Sequence, residues 1–468
     1  MVSDGSAHLG CGVARGARRR SKMIHPSALC VHGGRKLEGR VAVAGFKHSL
    51  VTAVAGASIA DAPLVIRNCP TIVEVDVLAC LLTSLGATAT RTSTTLTIDA
   101  STITRRDLDP ALAGAIHGSV YLAPALLSRF GEATLLVEGG CQIGDGSAGR
   151  RPHEQYVSVL ERFGGRLAAV DASGLRISAS RLRGCDIDLL DYTADPSQRT
   201  GPLYSGACKM AILAAAIAEG TSVLSNLYPK PDVGDLVTVI AALGADVEHD
   251  GELLIIRGKG AGTLDQAAKH DLIPDLIEIV TWITAGALVG SRLLITAPQL
   301  ARAHAAMGPE LRVLGEMGIV TELRGDELRV APAERIRSVN LVVTSPGIYS
   351  DSHPFFSLLA THAVGTSTIA ETVWANRFGY VDGLNALGAS LAYSDGHVSI
   401  EGGRPPLVAG QRVHAPDLRA AAVLVLAALE VDGDTVVTGT DHLGRGYADL
   451  PRVLRALGAD VNPVEMVA

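Results

Sequence analysis

The stretch 139–152, GGCQIGDGSAGRRP, places five glycines, one cysteine and two adjacent arginines within fourteen residues. Glycine at this density opposes both helix and strand, because each one loses more conformational freedom on ordering than any other residue. Three readings fit these residue types. Backbone N–H groups of a glycine-rich loop bind phosphate; a mobile flap brings a cysteine over a substrate; or the stretch is a plain surface connection. The phosphate reading is weakened by the missing Gly-Lys-Ser/Thr ending of a P-loop and by glycines that do not follow the dinucleotide spacing. The flap reading draws on Cys141, because Arg150 and Arg151 beside it favour a thiolate.

The surrounding chain decides between them. Its 468 residues suffice for two or more domains, and with 47% hydrophobic but only 4% aromatic residues the core must be aliphatic and alanine-rich. No apolar run is long enough to span a bilayer, even in MAILAAAIAEG or AAAVLVLAALEV. A net charge of −7 supplies no broad attraction for nucleic acid or anionic lipid. The basic RGARRRSK cluster lies in a Gly/Ser-rich arm, 1–28, which is read as disordered and lacks the apolar region of a secretory signal. The seven cysteines show no CxxC and no disulfide-like spacing, which points to the reducing cytoplasm. Neither a cofactor nor a metal is expected.

Self-similarity gives the organisation. A bulky apolar residue followed by glycine recurs in SLGATAT, RFGGRLA, ALGADVE, EMGIVTE, ALGASLA and ALGADVN, with the glycines at 86, 164, 244, 318, 388 and 458. Before each lies a tight turn into a short strand: DAPLVI, GEATLLV, GTSVLS, GSRLLIT, GTSTIA and GDTVVT. Helical patterns such as DVLACLLTSLG and DLVTVIAALG run between the two motifs, so each glycine takes the positive-φ position that ends a helix. The chain is therefore α/β with six repeated units of roughly 70–80 residues, three in each of two domains. The sixth unit stops at GADVNPVEMVA without its closing strand, and ALCVHGG at 28–34 offers a spare one. If that strand completes the last unit, the chain begins in one domain, crosses to the other and returns. Clefts between domains are common ligand sites.

LEGRVAVAGFKHSL, GGCQIG with RRP, SDSHPF, ETVWANRF, APDLRAAAVLVLAAL and GRGYADL, in this order from about residue 29 to the C-terminus, resemble the enolpyruvyl transferases. The resemblance is nearer to the UDP-N-acetylglucosamine 1-carboxyvinyltransferases than to the EPSP synthases. It implies an EPSP synthase-like, two-lobed inside-out α/β barrel, with 29–46 plus 273–468 as one lobe and 47–272 as the other, the latter carrying 139–152 as a flap. It also implies phosphoenolpyruvate as donor and a uridine nucleotide, UMP or a UDP-sugar, as acceptor. Lys47, Arg151, Arg419 and Arg445 then form a cationic cradle for phosphoenolpyruvate, where arginine forks suit both phosphate and carboxylate. Asp351 faces the acceptor hydroxyl as base, and Asp417 fits an ion-pair or proton-relay role beside Arg419. Arg377 of ANRF is carried over as an acceptor-side residue. Cys141 becomes the general acid toward C3 or an aid to product release, and the target of the epoxide fosfomycin. Singly, each of these has a plainer reading as a surface charge, a turn or a helix cap; the family order is what links them.

The departures from the family fall on the acceptor side. Its Lys-Asn pair is Lys47-His48 here, and a first-unit arginine is replaced by His117. The residues after RRP read HEQY, and the insertion DYTADPSQRTGPLYSGACK occupies the diphosphate region without a clear match to the family's lysine. Glu154, Tyr204, Ser205 and Gly206 are candidate nucleotide contacts, with Arg199 a replacement charge. These departures favour the branch that transfers enolpyruvate to the 3′-hydroxyl of UMP in peptidyl-nucleoside antibiotic biosynthesis. A divergent UDP-N-acetylglucosamine 1-carboxyvinyltransferase and a non-catalytic nucleotide-binding paralogue are the alternatives. Retention of Lys47, Cys141, Asp351 and Arg445 argues against the paralogue. An RNA-terminal phosphate cyclase is disfavoured by the acidic net charge and the missing nucleotidylated-histidine motif.

Overall fold

The computed structural model describes residues 25–136, 153–171, 174–197, 201, 203–374, 376–403 and 407–464. The chain divides into two compact units, one comprising Gly45–Ile273 and the other joining the segment that ends at Ala44 to Pro274–Ala468.

Among the described residues, five of the six sheets share one plan. In Gly45–Ile273, strand Ala268–Asp271 runs parallel to Leu64–Arg67, which pairs antiparallel with Thr95–Asp99, and that in turn with Thr88–Arg91. A second sheet repeats this with Asp186–Asp188, Glu219–Ser225, Leu253–Lys259 and Asp246–Asp250. The third, Glu132–Leu135, Gly174–Ser178 and Arg166–Asp171, has only the antiparallel part among the described residues. Pairing of 268–271 with 64–67 joins the end of the unit to its beginning.

The other unit holds three sheets of the same plan, built on the parallel pairs Leu37–Ala42 with Gly290–Thr296, Asn340–Val343 with Thr366–Glu371, and Arg412–His414 with Asp434–Thr438. Strand Ala28–His32 inserts between Asp434–Thr438 and Asp460–Pro463, antiparallel to both, so the N-terminal strand does complete the last repeat. All six repeat glycines take positive φ, from 87° at Gly318 to 109° at Gly244. An L-residue there would crowd its Cβ against the carbonyl, which is why glycine recurs at the helix ends.

Hydrophobicity on all faces marks a helix as interior. Every residue of Leu418–Leu429 and of His353–Thr361 is buried, and nearly all of Leu276–Val289. These three helices pack on one another. In the first unit Lys47–Ser58, Leu203–Ile217 and Pro231–Ala242 do the same. No helix among the described residues is long and apolar enough to cross a membrane.

The short 3₁₀ helix Thr440–Arg445 follows Gly439, whose φ is 75° and where an added Cβ would lie 2.1 Å from the Ala415 carbonyl oxygen. Gly439→Ala is expected to destabilise the protein by at least about 1–3 kcal/mol from the left-handed backbone alone, as a lowered urea midpoint will register.

Candidate active site

In the unit containing Pro274–Ala468, Asp351 sits in the turn before helix His353–Thr361, with its side chain 19% exposed. One carboxylate oxygen accepts from Arg377 Nη2. The other accepts from Arg419 Nη2 at 3.0 Å and Nε at 3.2 Å. Arg419 is buried in the first turn of Leu418–Leu429, where its Nη1 also donates to Tyr447 Oη at 3.2 Å. Tyr447 Oη and Thr281 Oγ1, on helix Leu276–Val289, share a hydrogen bond of 2.7 Å. Arg377 is buried as well, with Nε donating to the Ser350 carbonyl at 3.3 Å. Two buried guanidiniums thus flank one carboxylate at the N-terminal ends of packed helices, whose dipoles add positive potential.

The acids nearby have different tasks. Asp417 Oδ1 accepts from the amides of Arg419 and Ala420 at 2.8 and 3.1 Å, so it caps the helix that carries Arg419. That is the work of an N-cap residue, and it orients Arg419 through the backbone. Asp275 caps Leu276–Val289 in the same way. Burial first, and then Asp275, push the Glu278 carboxyl up to about 8 against the opposing pull of Trp282 and Arg419. Arg445 closes Thr440–Arg445, which packs on Leu418–Leu429.

In Gly45–Ile273, Lys47 opens helix Lys47–Ser58 and donates to Glu74 Oε1 at 2.5 Å. His48 follows it, its ring centroid 4.8 Å from that of Phe46. His117 Nε2 lies 3.0 Å from Tyr156 Oη, and the rings of Tyr121 and His153 pack edge-on around them. A Cβ on Gly206 would come within 2.4 Å of the Tyr156 ring, so His117 and Gly206 meet the same tyrosine. Ser205 is half-buried beside Gly206, and Glu154 is exposed in the first turn of Glu154–Arg162. Tyr204 points into the core instead: it is fully buried and its hydroxyl donates to the carbonyls of Asn226 and Leu227, the latter at 2.7 Å. Cys141, Arg150 and Arg151, expected to lie in a flap, and Arg199 fall outside the described residues.

The sequence reading overlooked Lys209. It is buried on Leu203–Ile217, one turn beyond Ser205 and Gly206, and pairs with Asp232 Oδ2 at 2.5 Å. Thr52 of Lys47–Ser58 donates to the Asp232 carbonyl at 3.1 Å. Burial pushes the Asp232 carboxyl up, but Lys209 and then His48 outweigh it and hold it below its ordinary value. The available signal was a lone charge inside the apolar ACKMAILAAA; its partner comes from another helix.

Comparison with known proteins identifies the class. Residues 31–454 match the EPSP synthase (3-phosphoshikimate 1-carboxyvinyltransferase) family, and the chain belongs to it. It is an enolpyruvyl transferase, moving the enolpyruvyl group of phosphoenolpyruvate to a substrate. UDP-N-acetylglucosamine 1-carboxyvinyltransferase from Halothermothrix orenii is 32% identical over 93% of this chain and 99% of its own. UDP-N-acetylglucosamine 1-carboxyvinyltransferase 2 from Bacillus subtilis is 30% identical over 92% of this chain and 96% of its own. Among solved structures, the enolpyruvyl transferase NikO from Streptomyces tendae superposes with a TM-score of 0.88 at 43% identity, over 93% of this chain and 98% of that one. EPSP synthase from Acinetobacter baumannii, at 16% identity and TM-score 0.68 over 93% and 99% of the two chains, shares the fold.

Removing one partner of a buried ion pair strands the other charge. Lys209→Ala is expected to cost about 3–5 kcal/mol of unfolding free energy, whereas replacing both partners, Lys209→Met with Asp232→Leu, recovers most of it. Because the folded-state value of Asp232 is depressed, its stabilising contribution is present above the unfolded value near 3.8 and is lost as pH falls through the folded one. Urea titrations of the three proteins at neutral and acidic pH check both statements.

Proposed function

We propose that this enolpyruvyl transferase uses the 3′-hydroxyl of UMP as its acceptor, as a step of nucleoside antibiotic biosynthesis. The two units are read as the lobes of an inside-out α/β barrel, three repeats in each, with 29–46 plus 273–468 forming one lobe and 47–272 the other. The observation that carries the acceptor assignment is the packing of His117, Tyr156 and Gly206. A tyrosine ring fills the space over Gly206, and His117, which by the family resemblance replaces an arginine of the sugar-nucleotide enzymes, is hydrogen-bonded to it. Such a surface suits a short nucleotide better than a diphosphate sugar, because a histidine near neutrality is no permanent clamp for a diphosphate. Tyr204 has no side-chain role in this reading; His117, Ser205, Gly206, His48 and Glu154 are the acceptor contacts.

In the proposed reaction Lys47, Arg151, Arg419 and Arg445 hold the phosphate and carboxylate of phosphoenolpyruvate. Binding of those anions draws Arg419 from Asp351, and the carboxylate then takes the proton of the acceptor hydroxyl. A proton reaches C3 from Cys141 as the hydroxyl oxygen bonds to C2, giving a tetrahedral ketal. Loss of a C3 proton and departure of inorganic phosphate leave the enol ether. Arg377 keeps Asp351 oriented, and Asp417 acts through its cap on Arg419. Cys141 is on this reading the residue alkylated by fosfomycin.

A second reading has one specific support. Lys209 follows Ser205 and Gly206 by one turn on helix Leu203–Ile217 and pairs with Asp232, and relatives named for UDP-N-acetylglucosamine match nearly their whole length. Phosphate release from phosphoenolpyruvate with UMP or UDP-N-acetylglucosamine at equal concentration separates the two. Turnover with UMP is expected; turnover with the sugar nucleotide alone overturns the UMP assignment and leaves the transfer chemistry standing.

Two substitutions test the roles. Lys47→Ala should weaken phosphoenolpyruvate binding roughly ten- to a hundredfold, from loss of a charge-assisted contact of about 1.5–3 kcal/mol. Asp351→Ala should abolish most turnover while leaving that affinity largely in place. Calorimetric titration with phosphoenolpyruvate measures the contrast.

A further inference from the structure

Glu371 is the last residue of strand Thr366–Glu371 and is buried, although the transfer chemistry gives it no part. Its contacts reach two segments at once. Oε1 accepts from the amides of Val373 at 2.6 Å and Trp374 at 3.2 Å, at the start of the run that leads to Arg377. Oε2 accepts from Ser350 Oγ at 2.6 Å, one residue before Asp351. Arg377 Nε closes the circuit by donating to the Ser350 carbonyl at 3.3 Å. On the other side of the turn, Glu310 Oε1 accepts from the Tyr349 amide at 2.8 Å and lies 3.5 Å from Ser352 Oγ. The turn bearing Asp351 is therefore gripped from both flanks by buried carboxylates.

The arrangement is demanding. A buried carboxylate loses several kcal/mol of hydration. Burial accordingly pushes the Glu371 carboxyl up to about 7, against hydrogen bonds from Ser350, Val373 and Trp374 that oppose the shift. Beneath it His353 Nε2 is 3.3 Å from Oε2, and His353 Nδ1 is 3.3 Å from Tyr380 Oη, which also hydrogen-bonds Ser357. An apolar residue at 371 would leave the half-buried Val373 and Trp374 amides and the buried Ser350 hydroxyl without this acceptor. What Glu371 supplies is a common anchor for the two segments whose side chains form the Asp351–Arg377 pair.

We propose that Glu371 is a positioning residue of the transfer reaction, its carboxylate fixing Asp351 and Arg377 in one mutual geometry by holding Ser350 with one oxygen and the Val373–Trp374 amides with the other. This rests on the reading of Asp351 as the base. Glu371 touches no substrate, and its action runs through Asp351. Misplacement of a reacting group by about 1 Å suffices for a rate loss on the order of a hundredfold.

Glu371→Gln in the full chain retains an oxygen for the two amides and puts an NH₂ where Ser350 Oγ–H needs an acceptor. With phosphoenolpyruvate and either UMP or UDP-N-acetylglucosamine, kcat for phosphate release is expected to fall by roughly a hundredfold with KM for both substrates unchanged. Ser350→Ala, which removes the hydroxyl that ties Glu371 to the residue before Asp351 and introduces no new polar group, should fall in the same direction; it carries the test if Glu371→Gln fails to fold. Placed in an Asp351→Asn background, either substitution should add no further loss, because the group it positions is already gone. A wild-type kcat in both variants while Asp351→Asn is inactive overturns the positioning role and leaves Asp351 as base. Equal, additive losses in both backgrounds also overturn it, since they mark a purely structural carboxylate. Full activity of Asp351→Asn refutes the base assignment itself, and the positioning role with it.

Discussion

Asp351 lies between the guanidiniums of Arg377 and Arg419, and both arginines are buried. Three charges taken out of water in one place carry a desolvation penalty that only good geometry and further hydrogen bonds can offset. Much of the surrounding architecture meets that demand. Arg419 is held by the Asp417 cap through its own amide and by the Tyr447 hydroxyl through its guanidinium. Arg377 is tied to the Ser350 carbonyl, and Ser350 to Glu371. Interior helices with apolar side chains on every face leave their N-terminal ends as the polar spots available to this cluster.

The same physics is used differently in the other unit. There Lys209 and Asp232 form one compact buried pair, and Lys47 rests on Glu74. In the same unit His117, His153, Tyr121 and Tyr156 make an aromatic cluster. Fixed guanidiniums gather around Asp351, and aromatic and imidazole rings gather around Tyr156.

Repetition explains how so large a chain reaches this arrangement. Among the described residues, five of the six sheets bring a parallel edge strand beside antiparallel pairs, and all six recurring glycines take positive φ, so a short local code is used several times. The last repeat is completed by Ala28–His32, whose partners are more than 400 positions away in the sequence. The register there pairs Ala28 with Thr438 and His32 with Asp434, and a slip by one residue would exchange the two faces of the strand.

Glycines at helix ends, alternating strands and all-apolar helices were legible because each is a local property: φ, the two-residue period and burial on every face are set by neighbours in the chain. The spare strand was legible for the same reason, from a repeat that lacked it. The order of the motifs carried the family, and with it Asp351, Arg377 and Arg419 as residues of interest. Tertiary structure alone decided their partners. Asp351 and Arg419 are 68 residues apart, and Asp417 in isolation reads as a relay acid as readily as the cap it is. Tyr204 turns to the core because two carbonyls, at Asn226 and Leu227, await its hydroxyl. Lys209 is tolerable inside an alanine-rich helix only because Asp232 arrives from another helix, and Glu371 gains its meaning from Ser350, 21 residues earlier. Side-chain chemistry is written at single positions, but the free energy of a buried charge belongs to the pair, and pairing is settled by the packing of distant segments.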